Sequence, residues 1–194
     1  MGTKFSTRVW VSVVGIASIF FGSKGYADTV ISVADFGLKP DTRENAVAYV
    51  QKAIEACRGK EPVTLVFPEG RYDFWPQYAH EKNYYETNTY DVFPKRLAML
   101  FEGLHNITVD GNGSQFVMHD RIQPITVENC DGVTLKNFSI DWDIPLTAQA
   151  RVTKVGSDFF EIEINVLESP YIIEDGKLVF VGEGWKSALG SMIE

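Results

Sequence analysis

Asp141-Trp142-Asp143 holds the most suggestive pair of acids in this 194-residue chain. On a strand, residues two apart share a face, with backbone positions ~6.6–6.8 Å apart. An inverting glycosidase holds its two carboxyl groups ~6.5–9.5 Å apart to admit a water between acid and base. Any Asp-x-Asp on a strand gives this spacing. Pro145, soon after, favours a turn, where Asp serves local hydrogen bonding. Asp141 and Asp143 are the catalytic candidates, with substrate-binding and structural roles open beside that one.

His119-Asp120-Arg121 clusters an imidazole, a carboxylate and a guanidinium. Each forms charge-assisted hydrogen bonds of the kind that hold sugar hydroxyls, and a solvated surface loop is the plainer reading. His119, Arg121 and Trp142 are the substrate-binding candidates. Asp110 precedes Gly111-Asn112-Gly113, so a turn role suits it better than chemistry. Glu102 and Glu128 occupy equivalent outward positions and read as solvated. No Ser-His-Asp constellation, phosphate loop or HExxH motif occurs. The two cysteines, Cys57 and Cys130, make neither a disulfide framework nor a zinc site and read as free thiols. Neither a metal nor another cofactor is expected.

These residues are positioned by a repeat. Met99 to Val109 can be laid over Ile125 to Leu135 at an offset of 26 residues without a gap. Met99 then matches Ile125, Phe101 matches Val127, Ile107 matches Val133 and Val109 matches Leu135. Apolar and polar residues alternate within each unit, the period of a strand with one buried face. A polar break, Gly103 to Asn106 or Asn129 to Gly132, divides each unit into two strands. Stacked coils, each unable to bury its apolar face alone, produce such a period. The expected fold is all-β: a right-handed parallel β-helix, or solenoid. Two unrelated hairpins in a sandwich are the alternative.

Residues 1–27 read as a signal peptide. Lys4 and Arg8 give a basic start, Val9 to Gly22 is an apolar run, and Gly25-Tyr26-Ala27 supplies small residues for cleavage. The run is short for a membrane span, which needs ~20 apolar residues. The chain is then exported, to periplasm, cell surface or medium, with no membrane contact after cleavage. The formal net charge of −8 becomes more acidic without that leader, which argues against a nucleic-acid partner. A neutral substrate suits it.

Two domains follow. Residues 28–149 read as the N-terminal part of the β-helix. Val30, Ile31 and Val33 form a first strand. Asp41 to Arg58 reads as a helix capped by Asp41 and Glu44, with Ala46, Val47, Val50, Ala53, Ile54 and Cys57 on one stripe. Laid across the open first coil, this N-terminal capping α-helix covers exposed backbone and core. Val63 to Phe67 is a strand, and Arg71 to Phe74 resumes the alternation. Trp75 to Arg96, rich in Tyr, is an excursion that either stacks on sugar rings or packs on the body. Residues 150–194 change character. Arg151–Val155 with Phe159–Ile164, and Ile172-Ile173 with Lys177–Val181, read as two antiparallel hairpins, the start of an inserted antiparallel β subdomain.

Asp35-Phe36-Gly37, the helix with Ala53-Ile54 and Cys57, and Val66-Phe67-Pro68-Glu69-Gly70-Arg71-Tyr72 resemble the opening of pectate-lyase-like right-handed β-helices. Phe101 to Ser114, Phe116 to Arg121 and Val133 to Trp142 resemble the N-terminal part of the α-1,3-galactosidases of glycoside hydrolase family 110. The resemblance implies a glycan substrate, an inverting mechanism without a metal, and a small barrel inserted between coils. It also implies a chain several times longer, with acid and base beyond Glu194, so that a missing C-terminal part of the same protein is a required partner. A polysaccharide lyase and a non-catalytic glycan-binding β-helix are the other two readings.

Overall fold

The computed structural model describes residues 29–84 and 94–188. The expected signal peptide lies outside the described residues, as do Tyr85, Tyr90 and Phe93 of the excursion and the chain from Leu189. The described residues are mostly strand, with one α-helix among them.

Strand β1 (Thr29–Ser32) leads into a 3-10 turn over Val33–Phe36. Ser32 closes that turn, its hydroxyl accepting from the Ala34 amide while the Asp35 carboxylate accepts from the Ser32 amide. Helix α1 then spans Val47–Cys57, starting later than its expected Asp41. Asp41 does not cap it. Its backbone lies at φ 61, and its carboxylate accepts from the Arg71 amide at 2.9 Å, so the acid pins the incoming loop to a strand. Asn45 takes the role instead, its Oδ1 accepting from the amides of both Val47 and Trp75. The expected stripe of Val47, Val50, Ala53, Ile54 and Cys57 is buried. Burying each large aliphatic chain contributes roughly 1.5–3 kcal/mol.

Strands β2 (Val63–Val66), β3 (Arg71–Phe74), β4 (His80–Lys82), β5 (Lys95–Glu102), β6 (His105–Met118), β7 (Gln123–Glu128) and β8 (Asp131–Trp142) follow. β1, β2, β6 and β8 pair in parallel, so that Ile31, Leu65, Val109 and Leu135 form one row. The far halves of β6 and β8 continue with β3, placing Phe74, Met118 and Trp142 in a second row. β5 and β7 form a third parallel pair. The four residue pairs matched by the repeat, from Met99↔Ile125 to Val109↔Leu135, are the register partners of these ladders.

The repeat is interrupted once. After Asp110↔Lys136 the register resumes at Ser114↔Phe138, so Gly111 to Gly113 stand opposite Asn137. Asp110 holds this corner, accepting from the Asn112 amide and the Asn137 side chain at 3.0 Å each. The turn role expected of it is what the structure gives.

The core lies between the ladders and α1. Phe116 sits at its middle, with ring centroids 4.7 Å from Phe67 and 4.8 Å from Phe138. Cover is unequal between rungs. Phe101, Val109 and Phe116 are buried, while their partners Val127, Leu135 and Ile140 are 47, 39 and 37 % exposed.

β9 (Arg151–Val155) and β10 (Phe160–Glu163) form an antiparallel hairpin. β11 (Tyr171–Glu174), β12 (Lys177–Val181) and β13 (Lys186–Ala188) form an antiparallel sheet. Both hairpins stand where the alternation put them. β4, which pairs antiparallel with β5, has no such periodic signal.

Candidate functional site

The residues that follow the second row are Trp75, His119 and Asp143. Backbone bonds from His119 N to Phe74 O and from Asp143 N to Met118 O carry the ladder one step past its strands. Trp75 and His119 consequently stack face to face, with centroids 3.6 Å apart and planes 5° from parallel. The row ends in an acid.

His119 is only 3 % exposed. Its Nε2 lies 2.8 Å from Asp73 Oδ1, and its Nδ1 lies 2.8 and 3.0 Å from the Glu183 carboxylate oxygens. Both ring nitrogens therefore face carboxylate oxygens. Asp73, 1 % exposed, is held on its other side by Arg71, whose Nε and Nη2 donate to it at distances down to 2.6 Å. The Arg71 Nη2 also donates to Asp143 Oδ1 at 2.7 Å, and Arg43 stands 3.7 Å from the same oxygen. Burial pushes Asp73 up, but hydrogen bonds from Arg71 and His119 outweigh it and hold the carboxyl below its ordinary value. Arg71, bonded first to Asp73, is driven further into its charged form.

The structure brings His119 and Asp143 into one network through Asp73 and Arg71. Asp141 stays outside it, its Oδ1 accepting from the Trp142 amide at 2.8 Å. Arg121 is exposed at the rim, its Nη2 donating to Gly184 O at 3.5 Å. Trp142 packs on the core, and its Nε1 donates to Asp120 O at 3.2 Å. His119 faces carboxylates rather than solvent. Sequence reasoning missed Arg71, Asp73, Trp75 and Glu183. The first three were legible in principle from the alternation of Arg71 to Trp75 along a ladder strand. Glu183 sits beyond two hairpins and carries no local signal.

Ligand atoms of His119, Asp143 and Glu183 lie within 4.8 Å of one another, close enough to surround a cation. Arg71 and Arg43, both on Asp143, oppose one there. The arrangement is a network of acids held by Arg71, Arg43 and the His119 ring. A second network lies along β5 and β7. Lys82 Nζ stands 2.6 Å from Glu102 and 2.9 Å from Glu128, and the Tyr84 hydroxyl donates to Glu128. These acids, expected to be solvated, tie β4 to the ladder. The Tyr84 bond, then Lys82, lowers the Glu128 pKa.

A family model described as GLAA-B beta-barrel domain I matches residues 148–194. The chain is similar to a protein named Alpha-1,3-galactosidase B from Bacteroides thetaiotaomicron, 60% identical over 168 residues, covering 87% of this chain and 27% of that protein. It is similar to Alpha-1,3-galactosidase A from Shewanella woodyi, 37% identical over 81% of this chain and 26% of that protein. It is also similar to Alpha-1,3-galactosidase B from Phocaeicola vulgatus, 36% identical over 93% of this chain and 29% of that protein. The chain thus spans between a quarter and a third of the length of these relatives.

Proposed function

We propose that this chain is the N-terminal part of an exported glycoside hydrolase that removes terminal α-linked galactose from glycans with inversion. Its 60% identity to the Bacteroides thetaiotaomicron protein, along 87% of the chain, carries this reading. The names of these relatives favour a hydrolase over the lyase and the non-catalytic binder. In this proposal the ladders begin a right-handed parallel β-helix of the pectate-lyase-like kind, capped by α1, with residues 28–149 as its start. The match over 148–194 supports the segment from residue 150 as the start of an inserted barrel. Residues 1–27 are the signal peptide, and the protein acts in periplasm, at the cell surface or outside the cell.

The chain supplies scaffold and rim rather than the catalytic pair. Inverting hydrolysis needs one carboxylic acid to protonate the leaving oxygen and one carboxylate to activate water. Asp73 is buried and bonded on both sides, and Asp143 already accepts from Arg71. Neither is placed to give up a proton to a leaving group. Asp141 and Asp143 thus border a groove whose acid and base come from the remainder of the protein, with His119 stiffening its floor and Arg121 at its edge.

The test is a chimera in which residues 29–188 replace the matching segment of the Bacteroides thetaiotaomicron relative. The chimera should release galactose from an α-1,3-linked galactoside, with the β-anomer as the first product by proton NMR. The 194-residue chain alone should release none. A folded but inert chimera, or comparable turnover by the chain alone, overturns the reading.

A further inference from the structure

The two ends of the parallel ladders are built differently. At the first end, helix α1 packs across β1, β2 and β5, and the edge strand there, β1, is four residues long. At the other end the second repeat unit, β7 and β8, has no neighbour on its outer side among the described residues. In the row Ile31, Leu65, Val109 and Leu135 the first three are buried and the fourth is 39 % exposed. Val127 and Ile140 stand open in the same way, beside partly buried Val133, Phe138 and Trp142.

Scattered apolar residues on a surface are ordinary. These are not scattered. Val127, Leu135 and Ile140 each extend by one step a row whose preceding member, Phe101, Val109 or Phe116, is buried, so they form one continuous apolar face. Two unpaired strand edges run along it, six residues of β7 and twelve of β8. Edges of that length are normally blunted by proline, lysine or a bulge. β8 holds no proline, and its one lysine, Lys136, is drawn onto Asp110 at 3.2 Å.

These features select the occupant. A helix or a lipid would cover the side chains but give no partners to so many strand amides and carbonyls. A second copy would set Glu128, Asp131 and Asp141 against their own counterparts, in a chain of formal net charge −8. Two strands running in the same sense, joined as β7 and β8 are, satisfy both edges at once and seat apolar side chains on Val127, Leu135 and Ile140. The chain also comes back to this end. It leaves the ladders after Asp143, and Glu183 returns it to His119 at 2.8 Å. It spans 27% of the Bacteroides thetaiotaomicron relative, which leaves most of a protein of that length outside it. We infer that the face of β7 and β8 is the docking surface for a further pair of parallel strands, supplied by the part of the same protein beyond residue 194. The inference rests on the reading above, in which this chain is one part of a longer hydrolase.

Cysteine labelling tests this in the 194-residue chain and in the chimera described above. Leu135→Cys and Ile140→Cys are the probes, and Thr134→Cys, on the outward side of β8, is the control. Mass spectrometry of each peptide reads the maleimide added. In the 194-residue chain all three should label readily. In the chimera Leu135→Cys and Ile140→Cys should label at least about 100-fold more slowly, because access then requires the docked strands to open, while Thr134→Cys keeps its rate. Equal rates in the two proteins overturn the proposal. Slow labelling in the 194-residue chain together with a dimer mass by sedimentation also overturns it and makes a second copy the occupant. A chimera that does not fold does the same, since the relative's strands then do not fit this face. The two readings fail separately. An active chimera with open cysteines sinks the docking face alone, and a folded, inert chimera with protected cysteines sinks the hydrolase reading alone.

Discussion

His119 Nδ1 lies 2.8 Å from Glu183, a residue 64 positions later in the chain. This contact joins the antiparallel segment to the end of the parallel ladders. The Asp120 amide adds a bond to the same carboxylate at 3.2 Å, so Glu183 accepts from two neighbours at the ladder end.

Glu183→Ala should loosen that joint without unfolding the core. The ladder keeps its own Asp73–His119 bond, while the segment from β11 to β13 loses its charged anchor. The expected loss is about 1.5–3 kcal/mol, the range for hydrogen bonds to charged groups. Hydrogen exchange should quicken over β12 and β13 and stay unchanged over β6. His119→Ala should cost more, about 2–4 kcal/mol, because it takes hydrogen bonds from both Asp73 and Glu183 and removes the ring stacked on Trp75, while Arg71 still holds Asp73. Equal urea midpoints for both variants and wild type would refute the joint.

Asp73 sets an acid limit. Its folded pKa is depressed, so its contribution is fully present above the unfolded value of ~4 and is lost as pH falls through the folded value. Stability should therefore decline from about pH 5 downward, and more steeply than in Asp73→Asn, which has no carboxyl to protonate there. Urea midpoints measured at intervals of pH decide this. Parallel curves for both proteins would exclude Asp73 as the source.

The repeat carried the register because strands paired in parallel require equivalent residues to point the same way. Met99 and Ile125, or Ile107 and Val133, could pair only if the offset held through both strands. The turn at Asp110 was legible from Gly111-Asn112-Gly113, but the register shift there was not, because three residues stand against Asn137 and an ungapped repeat carries no sign of an insertion. Asp41 misled for a related reason. Its spacing to Glu44 fits a helix cap, but its carboxylate finds Arg71, thirty positions on, and a tertiary bond displaced the local one. The joint at Glu183 depends on how two separately periodic segments dock, which periodicity does not encode.

The two thiols should separate by chemistry. Burial pushes the Cys57 thiol up to about 11, and its Sγ donates to Ala53 O. Cys130 is half-buried in the turn before β8, its Sγ beside Phe101 O. Iodoacetamide at pH 8 should label Cys130 many-fold faster than Cys57, because the raised pKa and full burial of Cys57 both hold it back. A raised folded pKa contributes stability below the unfolded value of ~8.5 and loses it as pH climbs through about 11. Cys57→Ala should flatten that alkaline decline. Equal labelling rates in the native protein would contradict the burial.

Two glycines of the first repeat unit should be costly to replace for different reasons. At Gly111 an added Cβ would stand 2.5 Å from Phe138 Cβ and 2.7 Å from Asn137 O. Neither neighbour can yield, since Phe138 stacks on Phe116 and Asn137 holds Asp110. Gly111→Ala should cost about 2–4 kcal/mol by forcing adjacent rungs apart. At Gly103 nothing lies within 4 Å, but the backbone sits at φ 62. Gly103→Ala should cost only about 1–2 kcal/mol, the price of the left-handed conformation, and Gly103→Asn less than that. Chemical denaturation of the four variants, Gly111→Asn included, separates the causes. Asparagine relief at Gly103, with none from Gly111→Asn, is the expected pattern, because a residue tolerant of positive φ answers a backbone constraint and does nothing for a collision with Phe138 and the Asn137 carbonyl.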